Sequence, residues 1–249
     1  MTAVRSRSVE ITLSALVSAF GQAGLVGSHP MFAVGTRHTP ESLAGELEDA
    51  AHGELSRLGL LDRGRVSDQF EDVVYALAQP ETEYVACVDN RGEHYTVLVG
   101  VRGRVVVTAV RNGDRVRVQA EDGRQAPAAV LVANLPACPP AQLPRISLPQ
   151  EEFRGDDSDF PADRSRLARS VDLLLEEPAF GRGEINVSVR GPGGGRRVAD
   201  GILTYRDLTA GRVAFEVTGP EQNRYVTVTS GEDQALARKV AAHRAALDG

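Results

Sequence analysis

Apolar residues recur at helical spacing up to Pro80 and then switch to alternation, and the same change of period occurs again after Pro178. Residues 9–20 place Ile11 (or Leu13), Leu16, Val17 and Phe20 on one helical stripe, closed by Gly21 and Gly24. Residues 30–35 read as a short strand. Thr39-Pro40-Glu41 then supplies a cap, a first-turn proline and an acid. The helix it opens carries Leu43, Leu47, Ala51, Leu55 and Leu58 on one face and stops at Gly59. A further helix over 67–78 turns Phe70, Val73, Val74 and Leu77 inward.

Four strands are predicted at 82–89, 94–101, 104–110 and 114–119. Asn90-Arg91-Gly92, Arg102-Gly103 and Asn112-Gly113 form hairpin turns between them. A short apolar helix over 126–135 leads to an irregular stretch, Pro136 to Pro149, and an acidic patch, Glu151 to Asp159, which together read as a connecting segment. The second half repeats the plan. A helix over 163–177 with Leu167, Val171, Leu174 and Leu175 precedes strands at 182–190, 197–206, 211–217 and 223–229. A last helix over 232–247 carries Leu236, Val240 and Leu247, with Thr229-x-x-Glu232 patterned as a capping box. Strands joined by tight turns pair antiparallel, so the expected fold is α+β, a central antiparallel sheet with helices packed on it. It is expected as a single domain over 1–249, with pseudo-repeat halves 9–135 and 146–247.

Composition narrows the function more than the fold. Aromatics make up 5% of the 249 residues and Trp is absent, so the core is aliphatic. A net charge of −6 argues against nucleic acid as the main partner, because phosphate binding needs a clustered cationic surface. No apolar run reaches membrane-spanning length and no signal-peptide pattern opens the chain, so membrane insertion is not expected and the reducing cytoplasm is the expected compartment. The two cysteines, Cys87 and Cys138, have neither disulfide-framework nor metal-ligand spacing.

Candidate chemistry is sparse. His29, His38, His52, His94 and His243 have no second ligand at metal-binding spacing and read as solvated or locally hydrogen-bonded residues. Cys87, between Ala86 and Val88, reads as a small buried residue, and Cys138 has no histidine near it in sequence. Gly191-Pro192-Gly193-Gly194-Gly195-Arg196-Arg197 could cradle a phosphate, but it leads into a strand rather than a helix N-terminus, and a hairpin loop with a basic edge is the better reading. Gly155-Asp156-Asp157-Ser158-Asp159 lacks the ligand spacing of a calcium loop and reads as a solvated linker. The expectation is therefore a binding protein with no catalytic residues, no metal and no cofactor.

Several short patterns, in order, resemble the EspG family associated with type VII (ESX) secretion. Glu54-Leu55-Ser56-Arg57-Leu58-Gly59-Leu60-Leu61 with Gly64-Arg65-Val66 is similar to the family's helix, Gly-Leu turn and hydrophilic step. Leu77 and Pro80 lead into strands, and Ile146-Ser147-Leu148-Pro149 introduces the second half. The most specific cluster is Gly181-Arg182-Gly183-Glu184 after Pro178, followed by Tyr205, Asp207, Gly211 and Arg212 and a Thr-rich strand at 225–229. Gly183, Glu184, Tyr205, Asp207, Gly211 and Arg212 are expected to act as fold determinants.

The resemblance implies one antiparallel sheet with two helical subdomains related by a pseudo-two-fold. It also implies a cytosolic chaperone that shields the apolar tip of a helical secretion substrate, either PE–PPE-like or a WXG-type helical hairpin. Such a role needs an exposed apolar face. Tyr95, Val97, Leu98 and Val99 are assigned to one face of the sheet and Val105 and Val106 to the other, with both faces covered as the competing reading. Tyr95, Val97, Val99 and Arg102, with Leu236, Lys239, Val240, His243 and Leu247 of the last helix, are the candidate partner-binding residues, although Leu236, Val240 and Leu247 also fit a core role. Family members from mycobacteria carry a longer client-contacting loop where this chain has only Arg102-Gly103. A homodimer is compatible with an exposed sheet face. Two other classes remain open: a ligand-binding or hydrolytic α+β domain with a pocket near His94 or Cys87, and an interaction domain with no secretion role.

Overall fold

A computed structural model describes residues 8–25, 29–33, 41–154, 165–191 and 193–248. Its main feature is an antiparallel sheet built from hairpins, divided between two compact units.

The first unit holds β1 (Ser8–Thr12), α1 (Leu13–Gln22), α2 (Glu41–Arg57), β2 (Leu61–Asp62), β3 (Arg65–Val66) and α3 (Asp68–Ala78). It also holds most of β5 (Glu93–Arg102), with β6 (Val105–Asn112), β7 (Arg115–Ala120) and α4 (Pro127–Ala133). The second unit holds β8 (Ile146–Pro149), α5 (Gln150–Arg154), α6 (Arg166–Glu176), β11 (Ile202–Leu208), β12 (Gly211–Thr218), β13 (Tyr225–Ser230) and α7 (Asp233–Ala245). Strands β4 (Thr82–Asn90) and β9 (Gly181–Arg190) each give residues to both units. Among the described residues the strand order is β1-β7-β6-β5-β4-β9-β11-β12-β13-β8, with the short β10 (Arg196–Val198) on β9. That order reads the same outward from β4 as from β9: each is followed by hairpin-linked strands and then an added edge strand.

In the first unit, Ile11, Leu16, Phe20, Leu55, Val74, Leu77, Leu98, Val107 and Ala109 form one buried cluster beneath α1, α2 and α3. At Gly100 of β5 the helix α3 comes close to the sheet, since a Cβ there would collide with the Ala76 carbonyl. On the opposite sheet face Val97 and Val99 are fully buried, and α4 lies against β6. In the second unit Ala168 and Val171 of α6 pack on Leu208, Val213, Phe215, Val226 and Val228. Leu236 and Val240 seat α7 and are also fully buried.

Several expectations are corrected. The helix predicted over 9–20 begins only at Leu13. Residues Ser8–Thr12 are an edge strand on β7, because Val9 and Ile11 also satisfy an alternating pattern and β7 offers unpaired backbone. Thr12 then caps α1 by accepting from the Ala15 N–H. The strand predicted at 30–35 is instead a 3-10 turn at Pro30–Phe32, since Pro30 favours a first-turn position and His29 Nδ1 caps Met31. Residues 34 and 35 lie outside the described residues, as do His38, Thr39, Pro40, Pro192 and the Gly155–Asp159 run.

The irregular stretch before the second half contains β8, whose Ile146 and Leu148 alternate inward while its backbone pairs with β13. The strand predicted at 197–206 is broken at Ala199–Gly201. Thr229-x-x-Glu232 forms no capping box: Glu232 is the cap position without a side-chain bond, and Thr229 Oγ1 is buried with no hydrogen-bond partner among the described residues. The hairpin after β5 turns at Gly103–Arg104, one residue later than predicted.

Candidate functional site: a buried motif node and uncovered leucines

Three glycines allow the motif of the second half to close on itself. Tyr205 of β11 lies directly across from Gly183 of β9, and its ring fills the space that any Cβ at 183 would need. Arg212 lies over the Tyr205 ring, its guanidinium 4.4 Å from the ring centroid. Gly231 leaves room for the Arg212 stem. Gly211 adopts φ 115°, a conformation few other residues tolerate, and a Cβ there would stand 2.6 Å from the Pro139 carbonyl.

At the centre, Asp207 and Arg212 form a bidentate pair. Arg212 Nε donates to Oδ1 at 2.7 Å and Nη2 to Oδ2 at 2.8 Å, with side-chain exposures of 1% and 0%. Nη2 also donates to the Pro136 carbonyl at 2.6 Å. The backbone of Arg212 donates to Pro139 O and accepts from Ala141 and Gly231 N–H, so the chain after Pro136 is stitched to β12. Burial opposes the charge on Arg212, but the hydrogen bonds and charge of Asp207 outweigh it and raise its pKa further. Burial, then the Asp207 carboxylate, raises the Cys138 thiol, which makes it a poor nucleophile. Glu184 is not part of this node. It is exposed and accepts from Asn186.

A second polar cluster anchors the last helix. Glu216 of β12 accepts from Lys239 and lies 3.1 Å from His243 Nε2. The His243 bond, with Lys239 and against the cost of burial, holds the Glu216 carboxyl at about 2. His243 also occupies the space over Gly201, where a Cβ would approach its ring to 2.9 Å.

The partner-binding candidates fall in different places. Val97, Val99, Leu236 and Val240 are fully buried, while Leu247 and His243 are 8% and 7% exposed. Tyr95 is half-buried and its hydroxyl donates to the Asn134 carbonyl. Arg102 donates to the Gln79 carbonyl and stacks over Tyr75. Both sheet faces of the first unit are therefore covered where the candidates lie. The exposed large apolar side chains include Leu43 and Leu47 on α2 and Leu167 on α6, which the helical stripes read as buried, and Leu173 on α6, which lies off that stripe.

The chemistry expected to be absent offers little to assemble. His94 is exposed, 3.7 Å from Asp89. Cys87 is exposed rather than buried, because it points away from the face that takes Ala86 and Val88. A cleft of about 490 Å³ in the second unit is lined by Asp89, Ala179, Phe180, Gly181, Arg182 and Arg206, with neither Cys87 nor His94 among them. The glycine-rich loop is a hairpin, in which Gly191 N–H donates to Gly195 O and Arg196 pairs with the buried Glu83. Among the described residues no group of three or more His, Cys, Asp or Glu could hold a metal, and no helix is long and apolar enough to cross a membrane.

The fold is thus a large antiparallel sheet with helices, the architecture of a type VII secretion chaperone of known structure. That structure, the Mycobacterium tuberculosis chaperone EspG5 in complex with the PE25-PPE41 dimer, superposes with a TM-score of 0.69 over 94% of this chain and 95% of that one, at 16% identity. The EspG family matches residues 12–242, and this chain belongs to the EspG family. No curated protein matches it.

Proposed function

We propose that this protein is a cytoplasmic chaperone of a type VII secretion system, which binds the apolar tip of a helical-hairpin substrate before export and catalyses nothing. The observation that carries this reading is the family match, which spans both units from residue 12 to 242. The likeness to a chaperone solved with a PE–PPE dimer supports it. The Asp207–Arg212 node fits this reading as a scaffold, since both side chains are spent on holding β11, β12 and the segment after Pro136. We also read the chain as one domain of duplicated halves, 9–135 and 146–247, on the strength of the mirrored strand order.

The two-residue turn after β5 favours a client recognised without an extended loop, so WXG-type hairpins stand beside PE–PPE pairs as substrates. Co-expression of the chain with both kinds of helical hairpin from its own genome, followed by size-exclusion chromatography with mass detection, tests the proposal. A stoichiometric complex that keeps the client soluble is the expected result. A folded chain that binds neither kind overturns it and returns attention to the cleft beside Asp89.

A further inference from the structure

The 3-10 turn at Pro30–Phe32, between α1 and α2, is fastened to the first unit by a buried histidine with two different contacts. His29 Nδ1 accepts from the Met31 N–H at 3.1 Å and so caps the turn. A ring nitrogen that accepts carries no proton, so the ring is neutral and its one proton sits on Nε2. Nε2 makes no hydrogen bond among the described residues, but it lies 3.4 Å from Glu83 Oε2 of β4, with both side chains 8% exposed. Glu83 Oε1 pairs with Arg196 of β10. Arg111 of β6 holds the other end of the turn by donating to the Met31 carbonyl and, at 3.4 Å, to that of Ala33. Phe32 meets Phe20 of α1 edge to face, with ring centroids 5.3 Å apart.

A second proton changes both contacts of the ring at once. It enters at Nδ1, where it replaces an acceptor by a donor and sets two N–H groups against each other 3.1 Å apart. At Nε2 the resulting charge turns a long contact with a carboxylate into an ion pair, which draws the ring towards Glu83. We infer that His29 is a proton-sensitive clasp: the singly protonated ring closes the turn, and the doubly protonated ring leaves Met31 for Glu83 and uncaps it. The open turn binds the extra proton, so closure is complete at high pH and is lost as pH falls. Neither the Arg111 bonds nor the Phe20–Phe32 contact depends on that proton, so the far end of the turn stays seated and the change is confined to its first residues.

Amide hydrogen exchange of the full chain, read residue by residue by NMR between about pH 8 and about pH 5, tests this. The Met31 protection factor, which divides out the pH dependence of chemical exchange itself, should fall about fivefold, the size of one lost cap. His29→Asn supplies a side-chain oxygen that reaches the N–H two residues on without titrating, so protection in that variant should stay flat. Glu83→Gln removes the attraction for the charged ring and should move the fall to lower pH. Proton–nitrogen correlation spectra of the His29 ring should show the proton on Nε2 alone at the upper end of the range. Met31 protection that ignores pH in the native chain overturns the inference. So does a fall that persists in His29→Asn, a fall shared equally by the core amides of Leu98 and Val107, or a ring protonated on Nδ1 at high pH.

Discussion

Asp207→Ala leaves a guanidinium that is 1% exposed facing an empty space where two charge-assisted hydrogen bonds had been. The Pro136 carbonyl and the Tyr205 ring still touch Arg212, but neither carries a compensating charge. Asp233, 3.8 Å away and 72% exposed, is too well solvated to replace it. Removing one member of a buried pair costs about 3–5 kcal/mol, so Asp207→Ala should fall in that range. Arg212→Met should cost about the same, because it strands the carboxylate and also removes a cation–π contact of about 1 kcal/mol.

Asp207→Leu combined with Arg212→Met replaces the pair with apolar groups and should cost about 2 kcal/mol or less, far below the sum of the singles. Urea denaturation followed by circular dichroism measures the totals, and hydrogen exchange of the β12 amides assigns the loss to the second unit. The reasoning fails if either single variant lies within about 1 kcal/mol of the parent at unchanged m-value, or if the double equals the sum of the singles within about 0.5 kcal/mol.

Glu216 gives a pH dependence. Its carboxyl titrates at about 2 in the fold and near 4.5 when unfolded, so its contribution is complete above about pH 5 and is lost as pH falls through the folded value. The difference corresponds to about 3 kcal/mol, reduced to about 2 by solvent screening, and Glu216→Gln should flatten the acid limb of a stability profile by that amount. Gly183→Ala should cost about 1–3 kcal/mol by displacing the Tyr205 ring, and Tyr205→Leu in the same chain should recover part of it in thermal melts. On α2, Leu55→Ala should destabilise by about 2–5 kcal/mol while Leu47→Ala stays within about 0.5 kcal/mol, a contrast that separates packed from projecting turns of one helix. In alkylation of the native protein, Cys87 should react first and Cys138 only slowly, with mass spectrometry of peptides reading the order.

The alternating strands, their glycine turns and the helices after them were legible because each obeys a local rule. Arg91 and Gly92, for instance, both take the positive φ of a tight hairpin, at 51° and 84°. What sequence could not resolve depends on partners remote in the chain. Val9 and Ile11 fit a helix or a strand, and only the unpaired edge of β7 decides between them. Leu43 and Leu167 carry the same spacing as buried leucines, and nothing local says that the body ends before reaching them. Gly183 is expected as a fold determinant, but its role, like that of Gly231, is to make room, here for Tyr205 and Arg212, a function visible only once the strands are side by side. Cys87 is exposed against expectation for a related reason, since alternation says which face a residue takes but not whether that face is covered.

The stitching of Arg212 to the chain after Pro136 has a consequence for biosynthesis. Residues 136–141 leave the ribosome long before their partners, and the Pro136 carbonyl waits 76 residues for the guanidinium that caps it. Gly231, which leaves room for the Arg212 stem, and Asp233, 3.8 Å from its guanidinium, come later still. The second unit therefore cannot bury its ion pair during synthesis of its own first half, whereas the first unit already has α1, α3 and β5 through β7 in hand. A stalled or truncated chain ending after Arg197 but before Asp207 should carry a finished first unit and an unsealed second one, a species that proteolysis of nascent-chain fragments would expose.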